Sequence, residues 1–339
     1  MIDRRQVLIG GGGLAALSLA PLGLARAQGG QAVHGVYSAP GLSFAGIFIA
    51  NQLGLWGKNG LAAELKQVQG GPLAMAALTN KEADFAGVAS SDPMIGWDKG
   101  IKTLTIAAFT GAIAMQFTAR KDWMAKVGVS PSSTLKDKVA AFAKARLGAS
   151  TVGGGPAQYT RYLAHSMGLD PDRDLKILAV GFGAPRMAAL RTNQVDITVG
   201  DAPEADQIEL EGFGQLFINC SQEVPVFREC PYTVVAVSPD YAERQPDLCR
   251  RVAHAVGEAN DQFRSNFGKV VDVMAKVFPS VDRRAIERAL DRDRASYPPG
   301  GRMTETMWRN LIEISVALKM ISKSFPSADG VLWTNKFAS

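Results

Sequence analysis

Few residues in this chain are grouped as catalysis requires. His34, His165 and His254 are far apart, and none has a Cys, His or carboxylate partner at metal-ligand spacing. The sequence has no Walker pattern, no G-x-S-x-G elbow and no C-x-x-C. No cofactor and no metal are therefore expected, and the chain does not read as an enzyme. Recognition chemistry is better represented. Ser43 and Phe44 open a helix, Ser90-Ser91-Asp92 supplies hydroxyls and a carboxylate, and Asp201 with Glu204 supplies carboxylates from far along the chain. Gly153-Gly154-Gly155-Pro156 ends a strand and starts a helix carrying Gln158 and Tyr159. Exposed N–H groups at such a start, backed by the helix dipole, attract an anion. Carboxylates in the same cleft suit a donor or cation, so the ligand is expected to have an anionic end and a donor or cationic group. Three of these residues have a competing role: Asp92 and Asp201 are also suited to cap the helices that follow them, as Ser43 is for its own helix.

The elements that must position these groups come as a doubled unit. Ala76-Ala77-Leu78, Asp84 and the apolar run from Phe85 to Val88 precede Ser90-Ser91; Ala188-Ala189-Leu190, Asp196 and the run from Ile197 to Val199 precede Asp201. Each copy reads as helix end, polar turn, buried strand and polar loop at the strand's carboxyl end, where open α/β sheets bind ligands. Strands are expected over 32–36, 61–68, 104–109, 116–120, 146–152, 175–180, 216–219 and 232–237, with helices between them. That alternation predicts parallel sheets in two α/β lobes. The β-prone runs 116–120 and 232–237 are expected to be two crossing segments that insert one lobe into the other. The expected division is lobe one at 28–116 and 235–339, and lobe two at 117–234. After Pro239 the chain turns helical, with apolar stripes at Leu248, Val252, Val256, Ala259 and Phe263 and at Met307, Leu311, Ile314, Leu318 and Ile321.

A chain of 339 residues with 47% hydrophobic and 20% charged residues suits two globular units. Its N-terminus, residues 1–27, has paired Arg4-Arg5, a Gly- and Ala-rich apolar segment and Ala25-Arg26-Ala27. This predicts an export signal of the twin-arginine type and a mature periplasmic protein beginning near Gln28. Removing Arg4, Arg5, Arg26 and Asp3 lowers the net charge from +5 to +3. No basic block remains, so nucleic acid is not an expected partner. Outside the cytoplasm Cys220 and Cys230 could close a short loop, leaving Cys249 free; three buried thiols are the other reading.

The motifs are similar to those of periplasmic substrate-binding proteins of ABC importers of the taurine, alkanesulfonate and nitrate type, a group that includes binders of thiamine-pyrimidine precursors. Phe48-Ile49-Ala50 followed by Gly54-Leu55-Trp56 and Gly60-Leu61 resembles the opening pattern. Ala77-Leu78 to Asp84-Phe85-Ala86, Gly168-Leu169 with Asp174-Leu175, and Ala189-Leu190 to Val195-Asp196-Ile197 and Pro203 resemble its later segments. The resemblance implies a type II periplasmic binding fold that closes on a small molecule and delivers it, as a monomer, to an importer permease. An enzyme on the same fold and a solute sensor for a membrane receptor are the alternatives. The ligand residues implied are Ser43, Phe44, Ser90, Ser91, Gly154, Gly155, Gln158, Tyr159 and Asp201. Asn80 and Asn193 stand where the family has Gly, and Asn tolerates the left-handed turn. The Gly153–Gly155 run lacks the usual hydroxyl for a sulfonate, while Tyr159, Phe182 and Trp97 leave room for a larger organic ligand.

Overall fold

A computed structural model describes residues 30–338 of the chain. The export signal read over residues 1–27 lies outside them. The described residues form ten strands: β1 (Gln31–Tyr37), β2 (Leu61–Gln67), β3 (Phe85–Ala89), β4 (Leu104–Thr110), β5 (Met115–Arg120), β6 (Arg146–Ala149), β7 (Lys176–Ala179), β8 (Ile197–Asp201), β9 (Gly214–Asn219) and β10 (Thr233–Val237). They make two five-stranded sheets, ordered β2-β1-β3-β10-β4 and β7-β6-β8-β5-β9. β5 follows β4 in sequence yet lies in the second sheet, antiparallel to β8 and β9. β10 returns to the first sheet, antiparallel to β3 and β4. The pairs β1·β2, β1·β3, β6·β7 and β6·β8 are parallel.

The burial of each strand follows its residue pattern. β5 and β10 are buried from end to end, as continuous runs covered on both faces should be. β2, at a sheet edge, alternates instead, with Leu61, Ala63 and Leu65 directed inward. One apolar cluster runs from Val88 and Ala108 in the first sheet through Ile113, Met115 and Phe117 to Leu147 and Ile197 in the second. Phe117 stacks on Phe142 at 4.9 Å between centroids.

The doubled unit is structural. Asp84 accepts the backbone N–H of His34 in β1 at 2.8 Å, and Asp196 accepts that of Arg146 in β6 at 2.9 Å. In both copies the carboxylate ties the start of one strand to its parallel neighbour. The preceding turns match as well: Glu82 N–H donates to Ala77 C=O and Gln194 N–H to Ala189 C=O. The left-handed residues are Lys81 and Asn193, each at φ 61°. Asn80 is right-handed at φ −79°, so the expectation of a left-handed Asn80 is off by one residue.

The Pro246–Ser265 helix buries Leu248, Val252, Val256, Ala259 and Phe263 as its spacing requires. The final helix ends at Ala317, so Ile321 reaches the core from the turn beyond it. Cys220, Cys230 and Cys249 are all buried free thiols. Among the described residues no helix is long and apolar enough to cross a membrane.

Candidate functional site

The carboxyl ends of the central strands meet where β8 ends. Its last residue, Asp201, accepts a hydrogen bond from the Tyr232 hydroxyl at 2.7 Å, and the Ser43 hydroxyl stands against the same carboxylate. Ser43 belongs to the Leu42–Phe44 turn beside the first sheet. That turn is fixed by Tyr297, which donates to Leu42 C=O at 2.8 Å, and by Thr233, which donates to Ser43 C=O at 2.5 Å. Ser43 and Asp201 share the lining of a small cavity with Thr110, Asp293 and Tyr297. Its space is about 10 Å³, room for no more than a water, so a solute could enter only if the walls part.

Neither capping role is taken. The helix after Asp201 starts from Pro203 without a side-chain cap, and the helix after Ser43 is capped by no side chain. Burial instead raises the Asp201 carboxyl above the usual carboxylate range, against the lowering pull of Tyr232, Arg186 and Ser43.

A second contact lies at the end of β3. The run Ser90-Ser91-Asp92-Pro93, read as a loop, forms the first turn of the Ser91–Asp98 helix, where proline's missing N–H costs no intrahelical bond. Ser90 is spent on the backbone: its hydroxyl donates to Pro231 C=O at 2.5 Å. Ser91 is buried beside Tyr159, the fifth residue of the Gly155–Ser166 helix. The Tyr159 ring packs edge-on against Phe227 and Tyr232, and its buried hydroxyl, on a side chain 1% exposed, lies against the Ser90 and Ser91 hydroxyls. Burial pushes that hydroxyl's pKa far up, so it stays protonated.

Asp92 does not cap its own helix either. Its carboxyl fills the space beside Gly71, where a Cβ would stand 2.0 Å from Oδ2. Burial pushes the carboxyl up to about 7, with only the Ala89 backbone pulling it down.

Other predicted residues are placed differently. Phe44 packs on Phe109 at 5.9 Å as part of the first sheet's core. Gly154 and Gly155 begin their helix with no side-chain cap; a Cβ on Gly154 would meet Thr151 Oγ1 at 2.6 Å. Gln158 lines an outer groove with Arg161 and His165 on one side and Ala317 to Lys319 on the other. Trp97 is committed to Thr103 C=O and to a Lys102 ammonium over its ring, whereas Phe182 is 57% exposed. Glu204 is not free: it accepts two hydrogen bonds from Arg186, whose third goes to Val199 C=O.

Three participants had no signal in the sequence. Tyr232 and Arg186 act on Asp201, and Asp293 accepts from Gln116 of β5, Asn219 of β9 and Ser221. Arg292 next to it pairs with buried Asp206. Among the described residues no group of three or more His, Cys, Asp or Glu could hold a metal ion.

Two sheets in this topology, with ligand-type groups at facing strand ends, define the type II periplasmic binding fold. The chain belongs to the NMT1-like family, matching it over residues 39–275. A Bordetella bronchiseptica RB50 structure is similar with a TM-score of 0.72 and 19% identity, over 90% of this chain and 95% of that one. The alkanesulfonate-binding protein SsuA of Xanthomonas axonopodis pv. citri, bound to MOPS, gives 0.65 and 17%, over 87% and 96%. The nitrate-binding protein NrtA of Synechocystis PCC 6803 gives 0.67 and 15%, over 87% and 83%. A curated relative from Bacillus subtilis (strain 168), named "Putative binding protein YtlA", is 22% identical over 89% of this chain and 86% of its own length.

Proposed function

We propose that this chain is an extracytoplasmic solute-binding protein that captures one small organic molecule between two lobes and delivers it to an ABC importer. The lobes are residues 28–116 with 235–339, and residues 117–234; the links that lead into β5 from β4 and into β10 from β9 are the segments on which they move. The observation that carries the reading is the meeting of Asp201 from the second sheet with Ser43 and Tyr232 beside the first. Groups from distant parts of the chain converge there on a space too small for a solute, as expected of a cleft that opens to load and closes to exclude water. Ligand contacts are assigned to Ser43, Ser91, Tyr159 and Asp201, with the solute's anionic end at Gly154 and Gly155. The family and the SsuA and NrtA likenesses support transport as the setting. Site and mature start together suit the periplasm.

Thermal-shift screening of residues 28–339 against sulfonates, aromatic carboxylates, nitrate and pyrimidines tests this, because a ligand that binds only the native state raises its melting temperature. A saturable shift without chemical change is the expected result. Turnover of any of these compounds would contradict it.

A further inference from the structure

Two helices from opposite lobes pack against each other beside the cleft: Glu204–Glu211, which follows β8, and Arg283–Arg292, which precedes Tyr297. Their seam carries polar contacts at three levels. Arg292 donates from both terminal guanidinium nitrogens to the Asp206 carboxylate, at 2.9 and 2.5 Å. The Asp282 backbone N–H donates to Gln207 Oε1 at 3.0 Å, and the Arg288 guanidinium stands 3.9 Å from Glu209. The ion pair is shielded from water, with the Asp206 side chain 1% exposed and that of Arg292 17%. These groups stand apart from the cavity at Asp201, which the second helix lines with Ala289 and Asp293.

We propose that this seam is a clasp that holds the two lobes closed whether or not a solute is bound, with the Arg292–Asp206 pair at its centre. The inference rests on the solute-binding reading above and goes further: it assigns part of the closing free energy to side chains that touch no solute.

The physical argument is one of magnitudes. A buried ion pair gains little over its hydrated form unless its geometry is good. Here the guanidinium meets the carboxylate with two parallel bonds, the arrangement in which the two groups match best. The intact clasp is therefore modest and leaves the lobes able to open. Loss of one partner acts more strongly. Without Arg292 the Asp206 carboxylate would be held out of water in the closed form and hydrated in the open one, so the balance moves toward opening. A solute held between the lobes binds the closed form, and the fraction already closed scales its apparent affinity. Residues outside the cleft thus set affinity through that fraction.

The test uses residues 28–339 with no solute present. Spin labels at Leu73→Cys, in the helix after β2, and Val152→Cys, after β6, report the separation of the lobes. Both positions are exposed and follow strands that lie away from β10 and β5, where the links enter the sheets, and the native thiols are buried. Pulsed electron paramagnetic resonance gives the populations of short and long separations. Arg292→Met is expected to raise the open-to-closed ratio at least about tenfold, as loss of a charge-assisted hydrogen-bonded pair would give. The double variant Gln207→Ala with Arg288→Ala leaves the buried pair intact and should shift the ratio in the same direction by a smaller factor. A ratio unchanged in Arg292→Met overturns the clasp and leaves solute binding standing. Where Arg292→Met does not fold, an unchanged ratio in the double variant does the same. Failure of the solute-binding reading shows separately, as turnover in the wild-type thermal-shift screen.

Discussion

The Tyr232 hydroxyl donates to Asp201 Oδ1 across 2.7 Å, joining the residue that precedes β10 to the last residue of β8. One residue therefore belongs to the return segment of the first sheet and the other to the centre of the second. Tyr232 is anchored by its own backbone, which donates to Thr110 C=O and accepts from Ser90. Tyr232→Phe should remove the link without opening a cavity. The expected loss is about 1–3 kcal/mol of stability, since the bond ends on a carboxylate in a buried setting. Chemical denaturation measures that loss, and small-angle scattering should show the unliganded variant as more open than the wild type.

Arg186 and Glu204 form the buried pair beneath the cleft wall, with side-chain exposures of 3% and 17%. Removing one partner strands the other charge, so Arg186→Met should cost about 3–5 kcal/mol. The double change Arg186→Met with Glu204→Leu should recover part of this, because Glu204 is no longer stranded while Asp201 keeps only its Tyr232 and Ser43 partners. Denaturant melts of the two variants decide between a structural pair and a dispensable one.

Glycine at position 71 is required by contact rather than by backbone angle. A methyl there would stand 2.0 Å from Asp92 Oδ2 and would force the carboxyl out of its recess. Gly71→Ala is expected to keep the fold and to return the Asp92 titration toward the ordinary carboxylate range. Carboxyl NMR across a pH series measures that titration.

The pH dependence of Asp92 has a definite sign. Its carboxyl titrates at about 7 in the folded chain, above its unfolded value, so the folded state holds the proton more tightly. Below about pH 4, where both states are protonated, the group carries no penalty. The penalty grows as pH rises toward 7 and is complete above it, reaching about 4 kcal/mol for a shift of this size. The neighbouring Tyr159 stays neutral throughout, since burial raises it too. Relative to wild type, Asp92→Asn should therefore gain stability from about pH 4 to 8. Asp201 and Asp293 are raised in the same direction, so the difference between the two melts, not the wild-type curve, isolates Asp92.

What was legible in the sequence was local. The spacing from Ala-Ala-Leu to Asp marked both helix–turn–strand units because the turn, the aspartate and the strand follow one another directly. Asp201 could be placed at a strand end and Ser43 at a helix start for the same reason, although not against each other. Arg186, Tyr232 and Asp293 gave no signal, since each works on a partner that only the fold brings near. Asp92 looked like a helix cap because capping is a local habit, whereas the recess beside Gly71 comes from 21 residues earlier in the chain. Phe44 looked like a ligand residue by resemblance, and its ring lies against Phe109.

The central claim is that a solute is held between the end of β8 and the wall of the first sheet. Titration calorimetry of residues 28–339 with a solute identified by the screen, repeated with Asp201→Ala, tests it most directly. The account predicts one solute per chain for the wild type and at least about tenfold weaker binding for the variant, the loss of a charged hydrogen-bond partner. Unchanged affinity in Asp201→Ala would contradict it.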